Sequence, residues 1–98
     1  MNADNQLTFQ VSITTLFKKD IKKLEAKQLC SPEFNEVMYL LQHNKPLPKK
    51  YLDHPLEGKM KEYRDCHIFN DLVLIYKIDR DKKELQLIRI GSHSALFK

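Results

Sequence analysis

The histidines are the residues of this 98-residue chain best suited to chemistry, and three of the four lie in its second half. These three are His54, His67 and His93. Asp65 precedes His67 by two residues, so on a strand both side chains would leave the same face, and Asp71 follows at a predicted turn. An unperturbed imidazole has a pKa of ~6.5 and can accept or donate a proton near neutral pH. This set of side chains is therefore suited to general acid–base catalysis.

Cleavage of an RNA phosphodiester is a reaction that such a set could perform. One group would take the proton of a ribose 2′-OH, another would protonate the leaving 5′-oxygen, and the cations Arg64 and Arg89 would stabilise charge on the phosphoryl oxygens. This transesterification needs no metal. The same histidines and aspartates would also suit zinc or iron, but no His-x-x-x-His or Cys-x-x-Cys spacing supports a metal site. The sequence predicts neither a metal nor another cofactor.

Other kinds of site find less support in the sequence. Cys66 lies between Asp65 and His67 and would face the other side of the strand, where a buried structural thiol is expected. Cys30 and Cys66 form no disulfide framework, which favours a reducing cytosol. The two glycines, Gly58 and Gly91, stand too far apart to build a phosphate-binding loop.

The charge of the chain permits an acidic partner without requiring one. The net charge is +4, and all of the excess lies beyond residue 43. A long basic loop over 44–63 contains Lys59 and Lys61, and long loops that persist in compact domains are often functional. A lysine-rich segment over 18–27 is either a solvated helix face or a surface that contacts phosphates.

One α+β domain over residues 1–98 is predicted to position these side chains. The expected elements are a strand over 7–13 (alternating period), a helix of about three turns from Leu16, a second helix from Pro32 to about His43 with Ser31 as N-cap, and strands over 63–69, 72–78 and 84–90. The helices should form a hairpin on one face of the sheet. The strand over 72–78 is nearly continuously apolar, so we expect it to be central and covered on both faces.

No apolar run approaches the ~20 residues that cross a bilayer, and the first ten residues do not resemble a signal peptide. We therefore expect a cytoplasmic domain that has no membrane partner.

Four motifs in the second half of the chain, in order and at the right spacing, resemble the YafQ-type branch of the RelE/ParE toxin superfamily. They are Asp53-His54-Pro55-Leu56-Glu57-Gly58-Lys59, Tyr63-Arg64-Asp65-Cys66-His67-Ile68, Asp71-Leu72-Val73-Leu74-Ile75-Tyr76-Lys77 and Arg89-Ile90-Gly91-Ser92-His93-Ser94-Ala95-Leu96-Phe97. Residues 7–43 agree only in their strand-helix-helix pattern.

The resemblance implies a bacterial type II toxin with a RelE-like fold, β-α-α-β-β-β, and an antiparallel-rich sheet. Such a toxin is a ribosome-dependent mRNA endoribonuclease held inactive by a cognate antitoxin, and the complex binds operator DNA through the antitoxin. The catalytic positions that it implies are His54, Asp65, His67, Asp71 and His93. The expected RNA-binding residues are Arg64, Arg89, Phe97, Lys59 and Lys61.

Within that set, His93 is favoured as the general acid, whereas the base is left open among His54, His67 and Asp71. The sequence departs from the family where Met60 and Leu72 replace frequent tryptophans, so codon preference does not carry over. The alternative function is a non-catalytic toxin or binding module of the same superfamily that inhibits another target such as DNA gyrase.

Overall fold

A computed structural model describes residues 8–97 as a five-stranded sheet with four helices. The elements in chain order are β1 (Gln10–Ile13), α1 (Thr15–Ile21), α2 (Ala26–Leu29), α3 (Pro32–Gln42), β2 (His54–Pro55), β3 (Arg64–Phe69), β4 (Leu72–Asp79), β5 (Glu84–Gly91) and α4 (His93–Leu96). Two 3₁₀ turns, Lys49–Tyr51 and Gly58–Met60, flank β2. Within residues 8–97, no helix has both the length and the apolar character needed to cross a membrane.

The sheet has the strand order β1-β5-β4-β3-β2, which places β4 in the middle. β1 runs parallel to β5, and the other three pairings are antiparallel, which agrees with the expected antiparallel-rich sheet. The β4 residues from Leu72 to Tyr76 are all buried. Because successive side chains leave opposite faces of a strand, this burial confirms that the central strand is covered on both faces.

The main core lies between one face of the sheet and the helices. α1 lies against β5 and contributes Phe17, and α3 lies against β3 and contributes Val37 and Leu41. These side chains pack with Leu74 and Leu85 of the sheet. Full burial of such a side chain is worth about 1.5–3 kcal/mol, so packing against the helices holds the sheet in shape. The predicted α+β class is confirmed.

Of the two predicted helices, the first is shorter than expected. α1 ends at Ile21 instead of running for about three turns, because Glu25 starts a new helix, α2, with its own cap: the Glu25 N–H donates to Gln28 Oε1 (2.8 Å). The second predicted helix is confirmed as α3, with Ser31 as its N-cap and Pro32 at its first position. The predicted start of the first strand lies outside the described residues.

Candidate active site

Two of the predicted histidines lie in direct contact at one end of the sheet. The ring centroids of His67, on β3, and His93, on α4, are 4.8 Å apart. Phe97 follows α4, and its ring centroid is 5.7 Å from that of His93. The sequence predicted no helix after β5; Ser92 starts one because its Oγ accepts a hydrogen bond from the Ala95 N–H (3.2 Å). This short helix brings His93 and Phe97 together beside His67.

Asp71 joins this cluster through the turn between β3 and β4. Its Oδ1 accepts a hydrogen bond from the His93 backbone N–H (3.1 Å) and lies 3.2 Å from His93 Nδ1. These backbone and side-chain contacts hold the pKa of Asp71 below its ordinary value. Because a carboxylate accepts hydrogen bonds, His93 Nδ1 carries the proton and Nε2 remains free to face a ligand.

His54 and Asp65 form a second part of the site. They are paired across β2 and β3, and His54 Nδ1 lies 3.2 Å from Asp65 Oδ1. The same Nδ1 lies 2.8 Å from the Leu52 carbonyl oxygen. A carbonyl can only accept, so the imidazole proton points to Leu52, and His54 Nε2 is free to accept a proton. The two-residue strand β2 was not predicted, and it is what places His54 next to Asp65.

Asp65 is buried, at 4% exposure, although it carries a carboxylate. Its Oδ1 makes no hydrogen bond to any residue within 8–97, since the nearby His54 proton is directed to Leu52. A buried carboxylate oxygen that lacks a donor is costly. Asp65 Oδ1 is therefore a buried acceptor that lies directly beside the His54 imidazole.

The cluster around His67 and the pair formed by His54 and Asp65 lie on the same face of β3. Asp65 and His67 are two residues apart on this strand, roughly 7 Å, and their partners on β4 are Ile75 and Val73, both buried. The register of β3 with β4 shifts just after His67. Such bulges are frequent beside active sites because they redirect a side chain. All five predicted catalytic residues are thus on one side of the molecule, over an apolar floor.

The predicted RNA-binding arginines are both engaged in ion pairs. Arg64 precedes Asp65, so its side chain leaves the opposite face of β3, where its Nη2 lies 3.0 Å from Asp53 Oδ2. This placement separates Arg64 from the histidines, and strand alternation could have shown it from the sequence. Arg89 pairs with Asp20 of α1 through two hydrogen bonds, of 2.7 and 3.1 Å. That pair fixes α1 to β5.

The ion pair of Asp20 gives the first testable prediction, which concerns stability. Burial raises the pKa of Asp20, but hydrogen bonds from Arg89 and from the Ile90 N–H lower it by more, so the net pKa is below its ordinary value. Asp20→Ala should therefore lower the free energy of unfolding at pH 7 by about 2–4 kcal/mol, because it leaves a half-buried guanidinium and a buried N–H without an acceptor. Denaturant unfolding measures this change.

The pH dependence of that change has a definite sign. A carboxyl whose pKa is lowered in the folded state contributes stability above its unfolded value, and loses the contribution as the pH falls through the folded value. The difference between wild type and Asp20→Ala should therefore shrink between pH 7 and pH 3. Lys27→Gln, which removes the exposed pair with Glu25, is the control and should unfold like wild type. An undiminished difference at pH 3 would contradict this account.

The remaining predicted RNA-binding residues, Lys59 and Lys61, are exposed in the turn that follows β2. Met60, between them, is 46% exposed and lines an open apolar groove of about 510 Å³ together with Leu56 and Phe97. The groove runs next to His93 through Phe97. An apolar, aromatic-edged groove beside the histidines is suited to contact with a nucleobase.

Other chemistry finds little support in this part of the molecule. Among residues 8–97, no group of three or more His, Cys, Asp or Glu side chains is arranged to hold a metal ion. Cys66 is fully buried, which confirms the expected structural thiol, and burial raises its pKa strongly. A thiol in this state is a poor nucleophile.

Comparison with known proteins identifies a family to which the chain is similar. Residues 9–98 match the family described as "Bacterial toxin of type II toxin-antitoxin system, YafQ". The chain is 42% identical over 82 residues to the mRNA interferase toxin YafQ of Escherichia coli K12, covering 83% of this chain and 87% of the relative.

The fold of this chain is similar to those of solved toxin structures. The fold matches the E. coli DinJ–YafQ toxin–antitoxin complex (TM-score 0.78, 36% identity, 94% of this chain and 100% of that one). It also matches a metal-bound toxin from Helicobacter pylori (TM-score 0.80, 38% identity, 91% and 99%).

Proposed function

This chain belongs to the YafQ family of bacterial type II toxins, and from that membership we propose that it is an endoribonuclease that cleaves mRNA on the ribosome. The observation that carries the proposal is the gathering of His54, His67 and His93 with two carboxylates on one side of the sheet. The E. coli relative is an mRNA interferase by name. The site offers what RNA cleavage by transesterification requires: a proton acceptor, a proton donor and an aromatic ring.

In the proposed reaction, His54 Nε2 takes the proton of a ribose 2′-OH. The 2′-oxygen attacks the neighbouring phosphorus, a P–O2′ bond forms and the P–O5′ bond breaks. His93, protonated at Nε2, gives its proton to the leaving 5′-oxygen. The products are a 2′,3′-cyclic phosphate and a 5′-hydroxyl end. Asp71 orients the His93 imidazole through its Nδ1, and Asp65 lies beside the His54 imidazole.

The choice of His54 as base follows from where the rings lie. In an in-line displacement, the base and the acid stand on opposite sides of the phosphorus. The rings of His67 and His93 are in contact, so no phosphate fits between them. Asp71 is a poor base, since its pKa is lowered and it accepts hydrogen bonds from His93. His54 is the remaining candidate, and its free nitrogen is the one that accepts a proton.

The other predicted residues have supporting roles in this proposal. His67 lies against His93 and can donate a hydrogen bond to a phosphoryl oxygen. Phe97 is 43% exposed and is placed to stack on a base of the mRNA. Lys59 and Lys61 would contact phosphates. No metal takes part in these steps, although a related toxin has been solved with metal bound.

We also infer a cognate antitoxin as partner, since the E. coli relative forms a complex with DinJ. An antitoxin that covers the histidines and the apolar groove would exclude mRNA from both. The complex would bind operator DNA through the antitoxin, and a toxin that acts on translated mRNA would work in the cytoplasm.

The second prediction tests this function directly. In a translation extract, the protein should cut mRNA that is engaged by ribosomes and leave the same mRNA intact when it is free, as mapped by primer extension. Protein stripped of transition metals by a chelator and returned to magnesium buffer should cut at the same rate. The variant with His54, His67 and His93 all changed to alanine should not cut. If expression of this variant still arrests growth, the target is another one, such as gyrase.

A further inference from the structure

Three side chains on the far side of the sheet form a polar cluster that the proposed reaction does not use. Asp53 accepts hydrogen bonds from Arg64 Nε (3.2 Å) and Nη2 (3.0 Å), and from the Tyr76 hydroxyl (2.5 Å). Arg64 and Tyr76 are neighbours on β3 and β4 in the ladder of the sheet. The carboxylate of Asp53 is therefore held by two adjacent strands at once.

Two members of this cluster, Tyr76 and Asp53, are largely shielded from water. Tyr76 is 2% exposed, and the side chain of Asp53 is 22% exposed. Burial and the bond to Asp53 raise the pKa of Tyr76, so its hydroxyl stays protonated and donates to Asp53. The guanidinium of Arg64 is likewise favoured in its charged form by Asp53. Charge-assisted hydrogen bonds of this kind are stronger than neutral ones and fix geometry.

The backbone is strained at the residue that precedes Asp53. Leu52 has a φ of +50°, in the left-handed region, although it has a branched side chain that is 60% exposed. A non-glycine residue in this region costs free energy and persists where its surroundings hold it. The Leu52 carbonyl, in this conformation, lies 2.8 Å from His54 Nδ1. Residues 52–54 thus form a short connection from the clamped Asp53 to the imidazole.

β2 cannot hold this connection by itself. It contains two residues and forms two register pairs with β3, His54 with Asp65 and Pro55 with Arg64. Proline has no N–H to donate. The side chain of His54 is 53% exposed, so packing does not fix it either. The hydrogen bonds of Asp53 to Arg64 and Tyr76 therefore help to locate this segment.

We propose that Asp53 is a positioning residue for His54: clamped by Arg64 and Tyr76 from the opposite face of the sheet, it fixes the Leu52 carbonyl and thereby the imidazole tautomer whose Nε2 accepts the proton. The inference rests on the proposed function for the role of His54 in cleavage. The positioning itself is a separate claim about the imidazole. Asp53 touches neither RNA nor the reacting atoms in this account.

The third prediction tests this inference through a double-mutant cycle. Asp53→Asn keeps the shape of the side chain and removes the charge that binds Arg64. It should lower kcat for cleavage of ribosome-bound mRNA by about 10²-fold and change KM by less than about twofold. Measured in a His54→Ala background, the same change should lower kcat by less than about threefold, because the group that it positions is gone. Tyr76→Phe should act in the same direction and less strongly.

Matched controls separate positioning from general damage to the fold. Lys77→Gln breaks another ion pair at the same strands, with Glu62 (3.0 Å), and should leave kcat unchanged. Thermal unfolding of each variant reports on stability. An equal loss from Asp53→Asn with and without His54 would show a purely structural role and overturn the proposal, as would full activity of Asp53→Asn.

A second readout does not depend on cleavage. Nitrogen-15 spectra of the imidazoles should show the His54 proton on Nδ1 in wild type and a mixture of tautomers in Asp53→Asn. If the tautomers change while His54→Ala still cuts at the wild-type rate, the positioning stands and the proposed role of His54 fails. If the tautomer of His54 is the same in Asp53→Asn as in wild type, the positioning proposal is overturned.

Discussion

Changing His93 to alanine should lower the single-turnover rate of mRNA cleavage by about 10²–10⁴-fold, which is the usual contribution of a general acid. His93 is held by Asp71 through its backbone N–H and its Nδ1, and its ring lies between His67 and Phe97. Asp71 cannot replace it as donor, because Asp71 is an acceptor and its pKa is lowered. Binding of mRNA should change little.

Two comparisons make this prediction specific. An mRNA with sulfur in place of the 5′-oxygen at the cut position has a leaving group that needs no proton, so the variant should cut it nearly as fast as wild type does. His43→Ala is the control, since His43 lies at the end of α3, where it stacks on Tyr39 with ring centroids 4.2 Å apart. A loss below threefold for His93→Ala on normal mRNA would be incompatible with its assigned role.

Changing His54 to alanine should lower the rate by a similar factor and should also change the dependence of the rate on pH. In wild type, the rate should rise with pH over the acidic range, because the base must be neutral to accept a proton. The variant should lack this rise. A single-turnover pH profile of both proteins measures the difference.

The same profile for His67→Ala identifies the base independently. His67 contacts His93 and has no part as base in this proposal, so its removal should lower the rate and leave the acidic rise in place. If His67→Ala loses the rise and His54→Ala keeps it, the assignment of the base is reversed.

Local sequence patterns predicted the parts of this molecule that depend on near neighbours. Alternation placed Asp65 and His67 on one face of a strand, and helix-start signals located α3 at Ser31 and Pro32. The long apolar run of β4 predicted its central position. These features follow from the geometry of a few consecutive residues, which is why the fold class could be obtained from the chain alone.

Contacts between distant residues could not be predicted in this way. Asp20 and Arg89 are 69 positions apart. No local pattern indicates that Arg89, which was predicted to bind RNA, is paired with the carboxylate of Asp20 in α1. Asp53 and Tyr76 were missed for the same reason. The two-residue strand β2 is too short to have a period, and the one-turn helix α4 is visible only through the capping role of Ser92.

The position of β5 inside the sheet has a consequence for biosynthesis. Among residues 8–97, β5 is the last strand in chain order, yet it lies between β1 and β4 in the sheet. The described sheet cannot be completed before β5 has been synthesised, and α4, which carries His93, follows β5 in the chain. The contact between His67 and His93, which depends on both β5 and α4, can therefore form only after most of residues 8–97 have been synthesised.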